Sequence, residues 1–230
     1  MSGKGKNTID MTGGSLWKNI LVFSLPLMMT QMLEVLFNLS DVAIAGKYAD
    51  YIALGAVGST ALLVSLFTGI LIGMGAGVNV RTAHRLGAEK TSGSSETVAR
   101  TVYSGLIVCL IIGIILCLVC NIFARPMLEA LKTKDELIES AVLYLKIYAL
   151  GMPAMAVYNF GNGVLSACGE TKKPLVYLSV AGVLNVILNI FFVVVCKKAA
   201  DGVAIASVIA QYLSASMIMC HLLRRNDSCK

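Results

Sequence analysis

The sequence predicts an all-α integral membrane protein, folded as a bundle of six transmembrane helices. Of its 230 residues, 57% are hydrophobic and 14% are charged, whereas about 25% of an ordinary soluble domain is charged. The mean hydropathy is +0.79, and the apolar residues are concentrated in six long runs. A helix that crosses a bilayer needs about 20 such residues, because a backbone in hydrocarbon must satisfy its own hydrogen bonds. A water-soluble globule is therefore excluded.

The six apolar runs are joined by short polar segments that leave no room for a soluble domain. The predicted spans are 16–45, 52–80, 101–124, 141–165, 174–195 and 203–223. Residues 1–15 precede this transmembrane lobe, 16–223, and residues 224–230 follow it. We interpret the first segment as cytoplasmic and the last as a cytoplasmic tail or a truncation point.

The basic residues predict the orientation of the bundle. The formal net charge is +6, but the Lys and Arg residues lie between apolar runs, so we interpret them as topology signals and expect no nucleic-acid partner. Most of them lie before the first span, in the second and fourth loops and in the tail, while acidic residues crowd the third loop. This bias predicts a multi-pass protein of the cell membrane with both termini in the cytoplasm.

A polar stripe runs along the first span. Gln31, Glu34, Asn38 and Asp41 are separated by three, four and three residues, which places them within an arc of about 80° on one helix. A carboxylate inside a bilayer costs about 2.5 to 3.5 kcal/mol on insertion scales, so such residues normally face a protein interior or a wet cavity. The alternative for Asp41 is a position near the outer interface, where water simply solvates it.

The second span carries Gly69, Gly73 and Gly77, one glycine every four residues. One face of that helix then lacks side chains, and the backbone of a neighbour can approach it closely. We therefore predict a helix-packing role for these glycines. The same run resembles a nucleotide-binding loop, but no strand precedes it and the full glycine spacing is missing.

A bend is expected inside the fourth span at Gly151 and Pro153, because Pro removes a backbone donor and Gly adds conformational freedom. The bend is either a hinge or a static kink. Tyr144 and Tyr148 stand one turn apart just before it, and each is either an interfacial residue or a donor in a cavity.

The last two spans carry pairs of polar residues at helical spacing: Asn185 and Asn189 in the fifth, Ser207 and Gln211 in the sixth. Hydrogen bonding between helices explains such pairs equally well, at about 0.6 kcal/mol per bond. Together with Asp41, however, they offer one anionic and several neutral oxygens, which suit a small hard cation or a shuttled proton. We expect no cofactor, no metal beyond a possible sodium ion, and no enzymatic activity, since no catalytic constellation is present.

Several segments taken together are familiar in their order and spacing. They are Leu-Phe-Asn-Leu-Ser-Asp41, the Gly-rich run that ends in Arg85-Leu-Gly87-Ala, Pro153, the loop from Ser166 to Pro174, Gly182-Val-Leu-Asn185-Val-Ile-Leu-Asn189 and Gly202-Val-Ala-Ile-Ala-Ser207. Over nearly its whole length the chain resembles the multidrug and toxic compound extrusion (MATE) transporters.

That resemblance implies an antiporter that exports cationic or amphipathic drugs in exchange for sodium ions or protons. Family members have twelve helices in two six-helix lobes, and this chain resembles the amino-terminal lobe. The expected partners are therefore the lipid bilayer, small cationic or amphipathic substrates, and a second six-helix lobe, in the same natural chain or as another subunit.

The resemblance also assigns site residues. The family's cation site in this lobe falls on Asp41, Asn185, Asn189 and Ser207, with Tyr144 as a neighbour. Many relatives have Asp where this chain has Asn189, so the site here has one carboxylate rather than two, and the choice of coupling ion stays open. We expect the substrate cavity to include Gln31, Glu34, Asn38, Tyr148, Asn159 and Gln211. Candidates for its apolar wall are Met28, Met29, Met32 and Phe160, for which a lipid-facing or core position is an equal alternative.

Two alternative functions are a flippase and a membrane assembly subunit. A lipid-linked oligosaccharide flippase of the same superfamily needs Lys or Arg at mid-membrane depth for its anionic cargo, whereas the deep ionisable residues here are Glu34 and Asp41. A membrane assembly subunit that transports nothing needs neither acid. The sequence therefore favours a cationic or neutral cargo.

Overall fold

The structure, a computed structural model, describes residues 16–92 and 96–224, and this part of the chain is helical throughout apart from short connections. The helices are α1 (Leu16–Tyr48), α2 (Tyr51–Ser92), α3 (Glu96–Ala130), α4 (Asp135–Ala149), α5 (Met152–Ala167), α6 (Lys172–Ile190), which continues as a π-helical segment (Phe191–Val195), and α7 (Ala200–Leu223). The predicted terminal segments, 1–15 and most of 224–230, lie outside the described residues.

Five of these helices are long and apolar enough to cross a membrane: α1, α2, α3, α6 with its π-helical segment, and α7. The shorter α4 and α5 meet the same criterion as a pair, with a bend of 44° between them. The described residues thus agree with the predicted six-span bundle when this bent pair is counted as the fourth span.

The bend occurs where the sequence predicts it. Leu150 and Gly151 donate backbone hydrogen bonds to Ile147 and Tyr148 three residues earlier, so α4 ends in a tight turn. Pro153 then lies in the first turn of α5, where its missing N–H needs no partner. Gly151 also lies close to α7, since a Cβ at this position would overlap the side-chain amide of Gln211 and displace it.

Helix ends differ from the predicted spans. Residues 81–100 were expected to form a loop, but α2 continues to Ser92 and α3 begins at Glu96. Likewise α1 extends to Tyr48, and α4 begins at Asp135 rather than within the run 141–165. Hydropathy locates the hydrocarbon rather than the end of a helix, since a polar segment continues a helix into water without cost to its backbone hydrogen bonds.

Helix α5 lies at the centre of the bundle and packs on α2, α3 and α7. Most of its residues are buried, including Phe160, Val164 and Leu165. A Cβ added at Gly75 of α2 would lie 2.6 Å from the backbone oxygen of Asn159 on α5. The absence of a side chain at Gly75 therefore lets the α2 and α5 backbones touch.

The predicted glycine stripe does not make this contact. A Cβ at Gly69, Gly73 or Gly77 would meet nothing within 4 Å, and all three glycines are exposed. Within the described lobe the predicted packing role is therefore wrong for these positions. A four-residue repeat identifies a bare face but not the helix that lies against it, and α5 lies against the face that includes Gly75.

The two glycine environments predict opposite responses to the same substitution. We expect Gly75→Ala to lower the stability of this chain by about 1 to 3 kcal/mol, because the added methyl overlaps a backbone that cannot move freely. Gly73→Ala, half a turn away, is the matched control and should leave the melting temperature unchanged or raise it. Thermal unfolding of the purified chain in detergent checks both, and equal losses in the two variants would contradict the assignment.

Candidate functional site

Asp41 lies near the end of α1, and only 3% of its surface is exposed. Its carboxylate accepts hydrogen bonds from residues of two other helices. Asn189 Nδ2 donates to Asp41 Oδ1 at 2.6 Å, and Ser207 Oγ donates to Asp41 Oδ2 at 2.7 Å. Each carboxylate oxygen thus has its own donor. The alternative in which Asp41 is simply solvated at an interface does not describe this environment.

A second layer of hydrogen bonds supports the two donors. Asn185 Nδ2 donates to Ser207 Oγ at 3.2 Å, and Asn189 Nδ2 also lies 3.2 Å from Asn185 Oδ1. Asn185 and Asn189 share a face because they are one turn apart on α6. The structure brings together four of the residues that the family resemblance assigned to one site: Asp41, Asn185, Asn189 and Ser207.

Close packing of α1 against α6 makes this cluster possible. A Cβ at Gly182 of α6 would overlap the ring of Phe37 on α1, so the aromatic ring occupies the space that a side chain would fill. Asn185 and Asn189 follow Gly182 at roughly one-turn intervals and face the same neighbour. A larger residue at position 182 would separate Asp41 from its donors.

The cluster forms one end of a cavity of about 80 Å³, which has room for several water molecules. Five helices supply its walls, and they include the predicted residues Glu34, Asn38, Tyr148, Asn159 and Gln211. Residues that the sequence analysis did not select also line it: Phe37, Met155, Tyr158, Leu178, Ala181, Gly182, Ala210 and Ser214.

Some of the missed residues carried a usable signal. Ser214 lies three residues after Gln211 and seven after Ser207, which places all three on one face of α7. Met155 lies one turn before Asn159 on α5, and both residues line the cavity. Tyr158 carried no such signal. Its hydroxyl donates to the backbone oxygen of Pro174 at 3.1 Å, and the sequence does not indicate that these two residues lie so close together.

Unpaired acceptor atoms are concentrated in and beside the cavity. Glu34 Oε2, Gln211 Oε1 and Asn189 Oδ1 are buried and have no hydrogen-bond partner. A buried acceptor without a donor is costly, so these three oxygens are suited to a ligand that supplies protons or positive charge. No Lys, Arg or His is found among the described residues that line this cavity.

Other predicted cavity residues lie elsewhere. Gln31 is exposed, and so are Met28, Met29 and Met32, at 60%, 47% and 64%. These four side chains cover the outer face of α1 and do not line the cavity. The assignment of Gln31 to the cavity is therefore wrong in this lobe, and the three methionines have the outward-facing position that was their alternative.

Two aromatic residues assigned to the site also lie outside the cavity wall. Phe160 is buried in the core around α5. Tyr144 is buried as well, and its ring stacks on Tyr148 with a centroid distance of 5.9 Å. Of this stacked pair, Tyr148 lines the cavity and Tyr144 lies behind it.

The hydrogen bond from Ser207 predicts a measurable coupling with Asp41. We expect Ser207→Ala to destabilise the protein by about 1 to 3 kcal/mol, as for a hydrogen bond to a charged group, and to cost less when Asp41→Asn is already present. A double-mutant cycle in thermal unfolding measures this coupling. Ser179→Ala is the control, since that hydroxyl bonds only to the Leu175 carbonyl of its own helix, and additive effects at positions 41 and 207 would contradict the prediction.

Comparisons with known proteins identify the family of this chain. The family model described as MatE matches residues 26–191. The chain is 29% identical over 204 residues to a probable multidrug resistance protein, YpnP, of Bacillus subtilis, which covers 88% of this chain and 44% of that protein. It is 25% identical over 215 residues to another such protein of B. subtilis, YoeA, covering 92% and 46%.

A solved structure gives the fold independently. The outward-facing conformation of a multidrug resistance MATE family transporter of the MOP superfamily aligns with a TM-score of 0.85 and 22% identity, over 99% of this chain and 49% of that one. The chain therefore spans about half the length of the relatives it matches. With the MatE model covering most of its length, this chain belongs to the MatE family of multi-pass membrane transporters.

Proposed function

We propose that this chain is the amino-terminal lobe of a cation-coupled antiporter that exports cationic or amphipathic drugs across the cell membrane. The observation that carries the proposal is a buried carboxylate, Asp41, held by Asn189 and Ser207 at the end of a cavity whose other acid is Glu34. The printed names of the relatives, multidrug resistance proteins, support the same function. A second six-helix lobe would complete the transporter.

The coupling ion would bind at Asp41. A sodium ion prefers carboxylate, hydroxyl and amide oxygens as ligands, and the cluster offers both oxygens of Asp41 and the hydroxyl of Ser207. The buried, unpartnered Asn189 Oδ1 is a further ligand already in place. A proton would instead bind directly to Asp41, and with a single carboxylate in the cluster one proton neutralises it.

The substrate would bind along the rest of the cavity. Glu34 and Gln211 present acceptor oxygens without donors, while Phe37, Met155 and Leu178 add apolar surface. An organic cation supplies both the missing donors or charge and the apolar area. A pyrophosphate-linked cargo requires basic groups, and the described lining contains none, so the cavity favours drug export over a flippase function.

Exchange requires that ion and substrate favour different conformations. A ligand shifts an equilibrium only through a difference in its affinity for the two states. Neutralising Asp41 weakens its attraction for the donors on α6 and α7, and these contacts hold the end of α1. The bend between α4 and α5 is a second point at which the helices would rearrange. It adjoins the cavity, because Gly151 contacts Gln211 in the cavity wall.

Replacing the carboxylate tests the coupling role. In the transporter that contains this chain, Asp41→Asn should reduce ethidium efflux at least tenfold, since the variant cannot alternate between charged and neutral states. Efflux from vesicles with an imposed sodium or proton gradient measures the loss and identifies the driving ion. Asp135→Asn is the control, because Asp135 is exposed; unchanged efflux in Asp41→Asn would refute the role of Asp41.

Replacing the second acid tests the polarity of the cavity. We expect Glu34→Gln to weaken binding of ethidium by about tenfold, because one charge interaction in a poorly solvated site is lost. Binding of a neutral amphipathic dye should change much less. Fluorescence titration of the purified protein measures both. The matched control is Gln31→Ala, on the exposed face of the same helix, and an equal effect of that variant would contradict the assignment.

A further inference from the structure

A second, larger cavity lies between α2 and α3. Its volume is about 590 Å³. Arg81 and Arg85 of α2 and Arg100 of α3 lie at the end where the two helices approach the 93–95 connection. None of the residues placed in the first cavity contributes to this one.

Among the described residues, no acidic side chain forms an ion pair with these three arginines. Arg81 and Arg85 are one turn apart, so they lie on the same face of α2. Three uncompensated charges around one cavity repel one another and attract an anion.

Two buried donors point to the same ligand. Thr82 has no exposed surface, and its Oγ1 has no hydrogen-bond partner. The Nε of Arg85 is also buried and unpartnered. Both residues line the cavity. A bound group would therefore supply the acceptors for these two donors. A phosphate offers several acceptor oxygens together with negative charge.

The cavity changes character along its length. Away from the arginines its walls are Met74, Val78, Val108 and Ile112. Arg100 and Ile112 are twelve residues apart on α3, which corresponds to about 18 Å along the helix axis. A long groove that is cationic at one end and apolar for the remainder matches the shape and polarity of a lipid with an anionic headgroup.

We propose that this cavity binds an anionic phospholipid, with its phosphate at Arg81, Thr82, Arg85 and Arg100 and an acyl chain along the groove between α2 and α3. The arginines lie at the ends of α2 and α3 that the 93–95 connection joins, and the distribution of basic residues predicts that this end is on the cytoplasmic side. Basic pockets between transmembrane helices on that side are a known physical setting for anionic headgroups. The apolar groove favours a lipid over free phosphate, because free phosphate would leave that surface unused.

Native mass spectrometry of the purified protein tests this proposal. The protein is delipidated in detergent and titrated with phosphatidylglycerol, with phosphatidylcholine and with inorganic phosphate. We expect preferential binding of phosphatidylglycerol, and a loss of that preference on the order of tenfold in Arg81→Gln/Arg85→Gln. Thr82→Val should also weaken phosphatidylglycerol binding, since it removes the unpartnered hydroxyl while keeping the side-chain volume.

The control removes two charges that the topology places on the same side, in Lys172→Gln/Arg224→Gln, and should retain the preference. Monodisperse size-exclusion profiles and unchanged helical circular dichroism establish that each variant is folded. Equal binding of the two lipids, equal losses in the control and the arginine variant, or binding of inorganic phosphate as tightly as the lipid would each overturn the proposal. Lipid binding is measured without ethidium efflux. A failure of the lipid proposal is therefore distinguishable from a failure of the antiport proposal.

Discussion

A carboxylate buried in an apolar bundle needs donors, and that requirement connects three helices that are distant along the chain. Asp41 on α1 is bonded to Asn189 on α6 and to Ser207 on α7, across sequence separations of 148 and 166 residues. Helix α1 has few other buried side chains, and one whole face of it is exposed. The polar cluster therefore fixes the end of α1 in the bundle. Changing the charge of Asp41 therefore acts directly on the contacts that α1 makes with α6 and α7.

Much of this site could be predicted from the sequence, because helical spacing determines which residues share a face. Asn185 and Asn189 are four residues apart, and Asp41 is one of the two acids in the stripe on α1. The same reasoning failed for Gln31. Asp41 and Gln31 lie at opposite edges of the arc of about 80°, and the buried face of α1 is centred near the Asp41 edge. Thr30, one residue before Gln31, is fully buried there. Periodicity gives the direction of a stripe but not the edge of the contact.

The sequence does not show which face of α2 a neighbouring helix lies against. Gly69, Gly73 and Gly77 form a bare face that no described residue covers, while Gly75 makes the close contact with α5. Both sets sit on one helix with the same composition around them, so local pattern does not separate them. The bend was predictable because its causes, Gly151 and Pro153, are local. Helix ends were not, since polar residues such as Arg85 and Glu89 continue α2 beyond the hydrocarbon.

The acidic residues of the first cavity and the arginines of the second are kept apart in this lobe. Glu34 and Asp41 line one cavity, Arg81, Arg85 and Arg100 line the other, and the packed α5 helix lies between them. The separation depends on small residues, because Gly105 of α3 lies against the ring of Phe160 and Gly75 of α2 against the backbone of Asn159. If the two sets met, they would neutralise each other in ion pairs, and neither would be free to bind a ligand. Tight packing around α5 thus keeps the acids of one cavity and the arginines of the other from pairing.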